Sequence, residues 1–178
     1  MIPAMRMVSA PSLVLEPQTR MHAQEMFAVL SDPALYEYEN EPPGSVDGLR
    51  DRFTRLESRL SGDGQEHWLN WVIRLPSAQL AGYVQATVHR GGRAAIAYVL
   101  ASNYWGRGIA MQAVEAMVSE LIDQYQVRTL SAVLKRRNAR SLRLLERLGF
   151  SQATAERHVA LGVEPDELLM LRRARPIP

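Results

Sequence analysis

Seven consecutive residues, Tyr104-Trp105-Gly106-Arg107-Gly108-Ile109-Ala110, have the composition of an anion cradle. Before them lies a β-like apolar run, residues 94–100. After them a helical pattern sets Ala113, Val114, Met117, Val118, Leu121 and Ile122 on one face. Gly106 and Gly108 lack Cβ, so the backbone can turn tightly there and a ligand can approach its amides. Those amides are the unpaired donors of a helix's first turn, where the helix dipole adds partial positive charge. Arg107 offers a full charge. Such chemistry suits a pyrophosphate, although a strand–glycine–helix junction is also a common structural turn.

A second stretch narrows the choice. Asn138-Ala139-Arg140-Ser141-Leu142-Arg143-Leu144-Leu145-Glu146-Arg147-Leu148-Gly149-Phe150 follows another apolar run, residues 130–134. Together the two stretches resemble the GNAT superfamily of N-acetyltransferases. Its acetyl-CoA signature has the form Arg/Gln-x-x-Gly-x-Gly/Ala after a strand, with an Asn-led helix ending in Gly-Phe further along. Tyr-Trp-Gly-Arg-Gly-Ile-Ala with Asn-x-x-Ser is similar to the ribosomal-protein (Rim-type) branch, which also holds small-molecule acetyltransferases. The resemblance is carried by residues 94–150.

The resemblance implies an α+β fold with a mixed, mostly antiparallel central sheet flanked by helices. A V-shaped splay between the strands near 94–100 and 129–134 would admit the pantetheine arm of acetyl-CoA, the acetyl-donor cosubstrate. The amides of Trp105, Gly106, Arg107, Gly108, Ile109 and Ala110 would hold the pyrophosphate. Trp105 stands where the family commonly has Arg or Gln, so its side chain offers no phosphate contact and is expected to pack on the neighbouring loop. Tyr98, Val99 and Leu100 would pair with pantetheine through exposed backbone, and an amide of that strand would polarise the thioester carbonyl. Asn138 reads both as a helix N-cap and as a cofactor contact. Where the wider family places a thiol-protonating tyrosine, this chain has Leu145. Ser141, one turn after Asn138, becomes the expected donor to the CoA sulfur. Arg143 and Arg147 either reach the ribose 3′-phosphate or remain on a solvated helix face.

The implied reaction is direct acetyl transfer to a primary amine, either the α-amine of a protein N-terminus or a small-molecule amine. The amine needs a general base. Glu66 and His67 are the first candidates, followed by Glu39 and Glu41, then Tyr98. The alternation Glu37, Glu39, Glu41 could also attract a cationic acceptor. The chain has no cysteine, which removes disulfides and an acyl-cysteine intermediate. A competing class is a non-catalytic acyl-CoA-binding module that regulates a partner. A Rossmann-type nucleotide fold is a further alternative, but it needs parallel βαβ order and an acidic ribose contact about 20 residues on. Glu120 and Asp123 fall inside the continuing helix instead.

Composition sets the remaining bounds. The length of 178 residues and a hydrophobic content of 47% suit one domain with a buried core, expected over 12–175 after a disordered leader at 1–11. A net charge of +2 is too small to point to nucleic acid. His22, His67, His89 and His158 lack metal-ligand spacing, so no metal is expected. No apolar run is long enough for a bilayer and no signal peptide stands out, so a cytoplasmic monomer or homodimer is expected.

The elements that must position these residues follow from periodicity and punctuation. A first strand is expected at 13–15 and a helix from Thr19 to Ser31. A second helix, capped by Ser45 or Asp47, should carry Leu49, Phe53, Leu56 and Leu60. Strands at 67–75, 80–89 and 94–100 are separated by turns. Then come a helix at about 108–124, a strand at 129–134, and a helix at 139–148 closed by Gly149. A hairpin of 151–158 with 167–173 ends the expected order.

Overall fold

Period-two alternation builds the strands that carry the site. In β4 (Leu80–His89), buried Val84, Ala86 and Val88 alternate with half-buried Tyr83, Gln85 and Thr87. The other strands are β1 (Val8–Ala10), β2 (Leu13–Pro17), β3 (Glu66–Arg74), β5 (Arg93–Leu100), β6 (Thr129–Lys135), β7 (Ser151–Gln152) and β8 (Glu167–Arg173). The helices are α1 (Ala23–Leu30), α2 (Val46–Leu56), α3 (Ile109–Asp123), α4 (Ala139–Arg147) and α5 (Ala155–Ala160). The computed structural model describes residues 3–174.

The strands form one mixed sheet in the order β1-β2-β3-β4-β5-β6-β8-β7. Every neighbouring pair is antiparallel except β5–β6. That order, with antiparallel strands leading up to the glycine loop, excludes the Rossmann alternative. The larger core contains Leu69, Trp71 and Ile73 of β3, together with the expected α3 face: Ala113, Val114, Met117, Val118 and Leu121 are all buried. Leu145 and Leu148 bring α4 into this core. A smaller core joins α1 and α2 to Val72 and Leu80 through Met26, Leu49 and Phe53. Ser45 caps α2, its hydroxyl accepting from the Gly48 amide at 3.0 Å.

Several expectations are corrected. The stretch 1–11 is not a disordered leader over its described part. β1 pairs with β2, Arg6 makes two hydrogen bonds to buried Glu120, and the Arg6 carbonyl accepts from Trp71 Nε1 at 3.1 Å. Residues 1, 2 and 175–178 lie outside the described residues. The first helix begins with a 3-10 turn at Arg20–His22, which leaves Met21 exposed. α2 stops at Leu56, and Leu60 instead bridges to His67. The expected strand 151–158 lasts two residues. Thr154 then caps α5, its hydroxyl accepting from the Arg157 amide, so a local capping signal overrides strand pairing there.

The sheet opens where the site lies. β5 and β6 pair at only three positions, Arg93–Thr129, Ala94–Leu130 and Ala95–Ser131. Beyond Ala95 the two strands share no ladder, which gives the V-shaped opening. On its other edge β5 runs in continuous register with β4 as far as Gly82–Leu100. Gly82 permits that approach, because a Cβ there would lie 2.0 Å from the Val99 carbonyl oxygen.

Candidate active site

The glycine loop is built by backbone conformation. Gly106 and Gly108 have φ of 74° and 75°, left-handed values that L side chains rarely adopt. A Cβ on either would meet no atom within 4 Å, so the space above the loop is open. Gly108 caps α3, and the first amide returned to the helix is that of Gln112, to the Gly108 carbonyl at 3.1 Å. The amides from Gly106 to Met111 therefore have no backbone acceptor among the described residues. Trp105 does not belong with them: its amide donates to the Ser102 carbonyl at 3.1 Å in a 3-10 turn. Met111 takes its place, a donor that the sequence pattern did not single out.

Three arginines of α4 face this loop. Arg140, Arg143 and Arg147 recur at three- and four-residue spacing and line a cavity of about 320 Å³ with Gly106, Gly108 and Ala110. Open space, free amides and nearby guanidinium groups together fit a pyrophosphate. The Arg107 side chain lies instead over the Tyr104 ring, 5.8 Å from its centre. Arg140, not among the expected site residues, stacks 3.5 Å from the centre of the Trp105 ring. The Trp105 Nε1 donates to the Leu100 carbonyl at 2.8 Å. The tryptophan thus fixes the end of β5 and holds Arg140 over the groove. The i, i+3, i+7 spacing of the arginines was the available signal.

A second cavity of about 140 Å³ continues the first through shared Leu100, Trp105, Ala110, Arg140 and Leu144. Here Tyr98 and Ser141, from β5 and α4, meet with hydroxyl oxygens 2.5 Å apart. Burial pushes the Tyr98 phenol up to about 12, against the lowering effect of its bond to Ser141, so it keeps its proton at neutral pH. The Ser141 amide donates to Asn138 Oδ1 at 3.1 Å, which makes Asn138 the cap of α4. The remainder of its side chain still lines the cavity.

Strand alternation sorts the expected backbone donors. The Ala101 amide donates to the Ala81 carbonyl, whereas the Gly92 carbonyl accepts from the Arg128 and Thr129 amides at the start of β6. Odd-numbered β5 residues therefore turn their backbone toward β4, and even-numbered ones toward the opening. Tyr98 presents both its groups there. Leu100 presents its amide, its carbonyl being taken by Trp105. Val99 is a correction: its backbone belongs to the β4 ladder, and only its side chain lines the groove.

A third cavity, of about 400 Å³, meets the second at Leu35, Tyr38, Tyr98, Val99 and Asn138. Glu39 and Glu41 line it; Glu37 does not. Glu66 and His67 are absent from all three cavities. Glu66 registers with His89, and His89 with Arg93, at the closed end of β5. Tyr98 lies five residues further along, roughly 17 Å at strand rise. The first candidates for the general base are thereby displaced by Glu39 and Glu41. The Glu66 carboxylate serves Trp68 Nε1 at 3.2 Å and His89 at 3.5 Å. Burial lowers the tendency of His67 to take a proton.

A glycine loop of free amides, an open sheet and a groove crossing it have a counterpart among known families. The model of the acetyltransferase (GNAT) domain matches residues 12–151. The chain belongs to the GNAT family. It is an N-acetyltransferase by class. An uncharacterized N-acetyltransferase, p20, of Bacillus licheniformis is 27% identical over 125 residues, 68% of this chain and 69% of that protein. A probable N-acetyltransferase, YjcK, of Bacillus subtilis is 29% identical over 131 residues, 71% of each chain. Among solved structures, RimL, a ribosomal L7/L12 alpha-N-protein acetyltransferase in complex with coenzyme A, superposes with a TM-score of 0.79. The identity is 15%, over 94% of this chain and 98% of that one. At that identity the likeness is one of GNAT fold.

Proposed function

We propose that this GNAT domain transfers an acetyl group directly from acetyl-CoA to a primary amine, with Ser141 and Tyr98 assisting departure of the thiol. The observation that carries the reading is the Tyr98–Ser141 hydroxyl pair, set where the cradle-side cavity meets the wider one. The amides from Gly106 to Met111, with Arg140, Arg143 and Arg147, hold the pyrophosphate end. The Tyr98 backbone and the Leu100 amide pair with the pantetheine arm, and one of these amides polarises the thioester carbonyl.

The acceptor amine enters through the third cavity. Glu39 or Glu41, directly or through water, takes its proton as nitrogen bonds to the carbonyl carbon and the carbon–sulfur bond breaks. Ser141 passes its proton to the sulfur and recovers one from Tyr98. Tyr98 lines the acceptor cavity as well and is re-protonated from that side. With no cysteine in the chain, no acyl-cysteine enzyme forms.

Titration with acetyl-CoA by calorimetry, followed by thiol release across amine acceptors and N-terminal peptides, tests this function. Saturable binding with release on one acceptor class is the expected outcome. Binding without release on any amine would favour the regulatory module instead.

A further inference from the structure

The third cavity contains more than an amine site needs. Besides Glu39 and Glu41, its wall includes Arg52 of α2 and Tyr83 and Gln85 of β4. Tyr83 and Gln85 are two residues apart and project from the same face of the strand. Neither the Tyr83 hydroxyl nor the Gln85 side-chain amide has a hydrogen-bond partner among the described residues. Arg50 pairs with Asp47, whereas Arg52 has no such partner among the described residues. Burial pushes the Tyr83 phenol above its ordinary range, and the Arg52 guanidinium lies close enough to act in the opposite direction. It does the same at Tyr36, where burial again dominates. Three donor groups thus line the same cavity as the two carboxylates of a separate loop.

An acceptor bearing only an amine would leave these donors unmatched. A planar guanidinium sharing a cavity with a hydroxyl and a side-chain amide is a donor set suited to an oxyanion. We infer that the acceptor is a zwitterion: a small amine carrying its own carboxylate or phosphate, with that oxyanion held by Arg52, Tyr83 and Gln85 while the ammonium faces Glu39 and Glu41. The inference rests on the amine-acetylation reading and specifies its acceptor. It favours a small charged molecule over a protein N-terminus, whose following residue presents a neutral peptide group at the same place.

The test compares α-amino acids with their C-terminal amides, and aminoethyl phosphate with ethylamine, by thiol release. In the natural protein, removing the oxyanion should lower kcat/KM by about tenfold to a hundredfold, the worth of a charge-assisted hydrogen bond. Arg52→Gln should impose that loss on the charged acceptor, leave the amide unaffected, and leave acetyl-CoA affinity unchanged. The carboxylate and phosphate arms identify which oxyanion is used. Equal turnover of acids and amides overturns the inference, as does faster turnover of neutral N-terminal peptides or an equal loss on all acceptors in Arg52→Gln. Calorimetry with N-acetylated amino acids and their amides reads the same site without chemistry. Discrimination there without any thiol release would retain the oxyanion site and overturn the acetylation reading. Equal binding of acid and amide would remove the oxyanion site alone.

Discussion

Replacing Ser141 by Ala isolates the contact on which the chemistry turns. The substitution deletes one hydroxyl and leaves the Ser141 amide bond to Asn138 in place. The half-buried Tyr98 hydroxyl then keeps only the Ser141 carbonyl, at 3.4 Å, as a protein partner. Loss of one neutral hydrogen bond costs about 1 kcal/mol, and an imperfectly satisfied phenol raises this to about 2 kcal/mol. For a domain of this size the melting temperature should fall by roughly 4–8 °C. The fold therefore survives, and kinetics on folded protein report chemistry. If Ser141 supplies the proton to sulfur, turnover should fall about 100-fold or more, while acetyl-CoA affinity changes by less than about threefold. Tyr98→Phe should be milder, because serine keeps its own proton. The double variant should lose no more than Ser141→Ala alone, since the two hydroxyls act as one unit. Thiol release under saturating acetyl-CoA gives the rate, and calorimetry gives the affinity. Turnover of Ser141→Ala within about threefold of the natural protein would refute the relay.

Gly108→Ala should cost about 1–2 kcal/mol through its left-handed φ alone, since nothing crowds the new methyl group. Gly108→Glu adds bulk and negative charge over the free amides and should abolish acetyl-CoA binding; unchanged affinity in a titration would sink the cradle assignment. Glu66→Gln and His67→Asn should leave kcat within about twofold, because the two residues register with Arg93 and Ala94, roughly 17 and 13 Å along the sheet from Tyr98. A large loss of thiol release in either would return them to the chemistry. Away from the site, Arg74 makes two bonds to Glu16, at 3.0 and 3.1 Å, and holds its carboxyl below the ordinary value of 4.5. That pair's stabilisation is present above pH 4.5 and is lost as pH falls through the depressed value, because the unfolded carboxyl takes its proton first. Glu16→Gln should flatten the acid limb of a denaturant-midpoint curve, and an unchanged limb would contradict the linkage.

Much of the fold and of the cradle was legible in the sequence, because both depend on neighbours along the chain. Gly106 and Gly108 meet a local demand for positive φ, and Asn138 meets a local need for an N-cap. The buried face of α3 repeats at helical period, so Ala113 through Leu121 were assignable from spacing. Local rules also limited what could be read. Residues 155–160 have apolar content compatible with a strand, but Thr154 starts a helix there. The stretch before residue 11 lacks a sustained pattern, and only its partners, Glu120 and β2, give it order.

The sequence by itself determined a two-glycine helix start, an Asn-led second helix, a strand before each and a chain without thiols. Tertiary structure alone decided which residues share the groove. Tyr98 and Ser141 are separated by 43 positions, and they meet because β5 and β6 part after Ala95. Glu66 was placed at the wrong end of the sheet because a strand's apolar pattern specifies the face a residue points to, not its height along the neighbouring strands. Height is set by pairing register, which joins segments distant in the chain. Register carried Glu66 to the closed end of β5 and Tyr83 and Gln85 toward the open one.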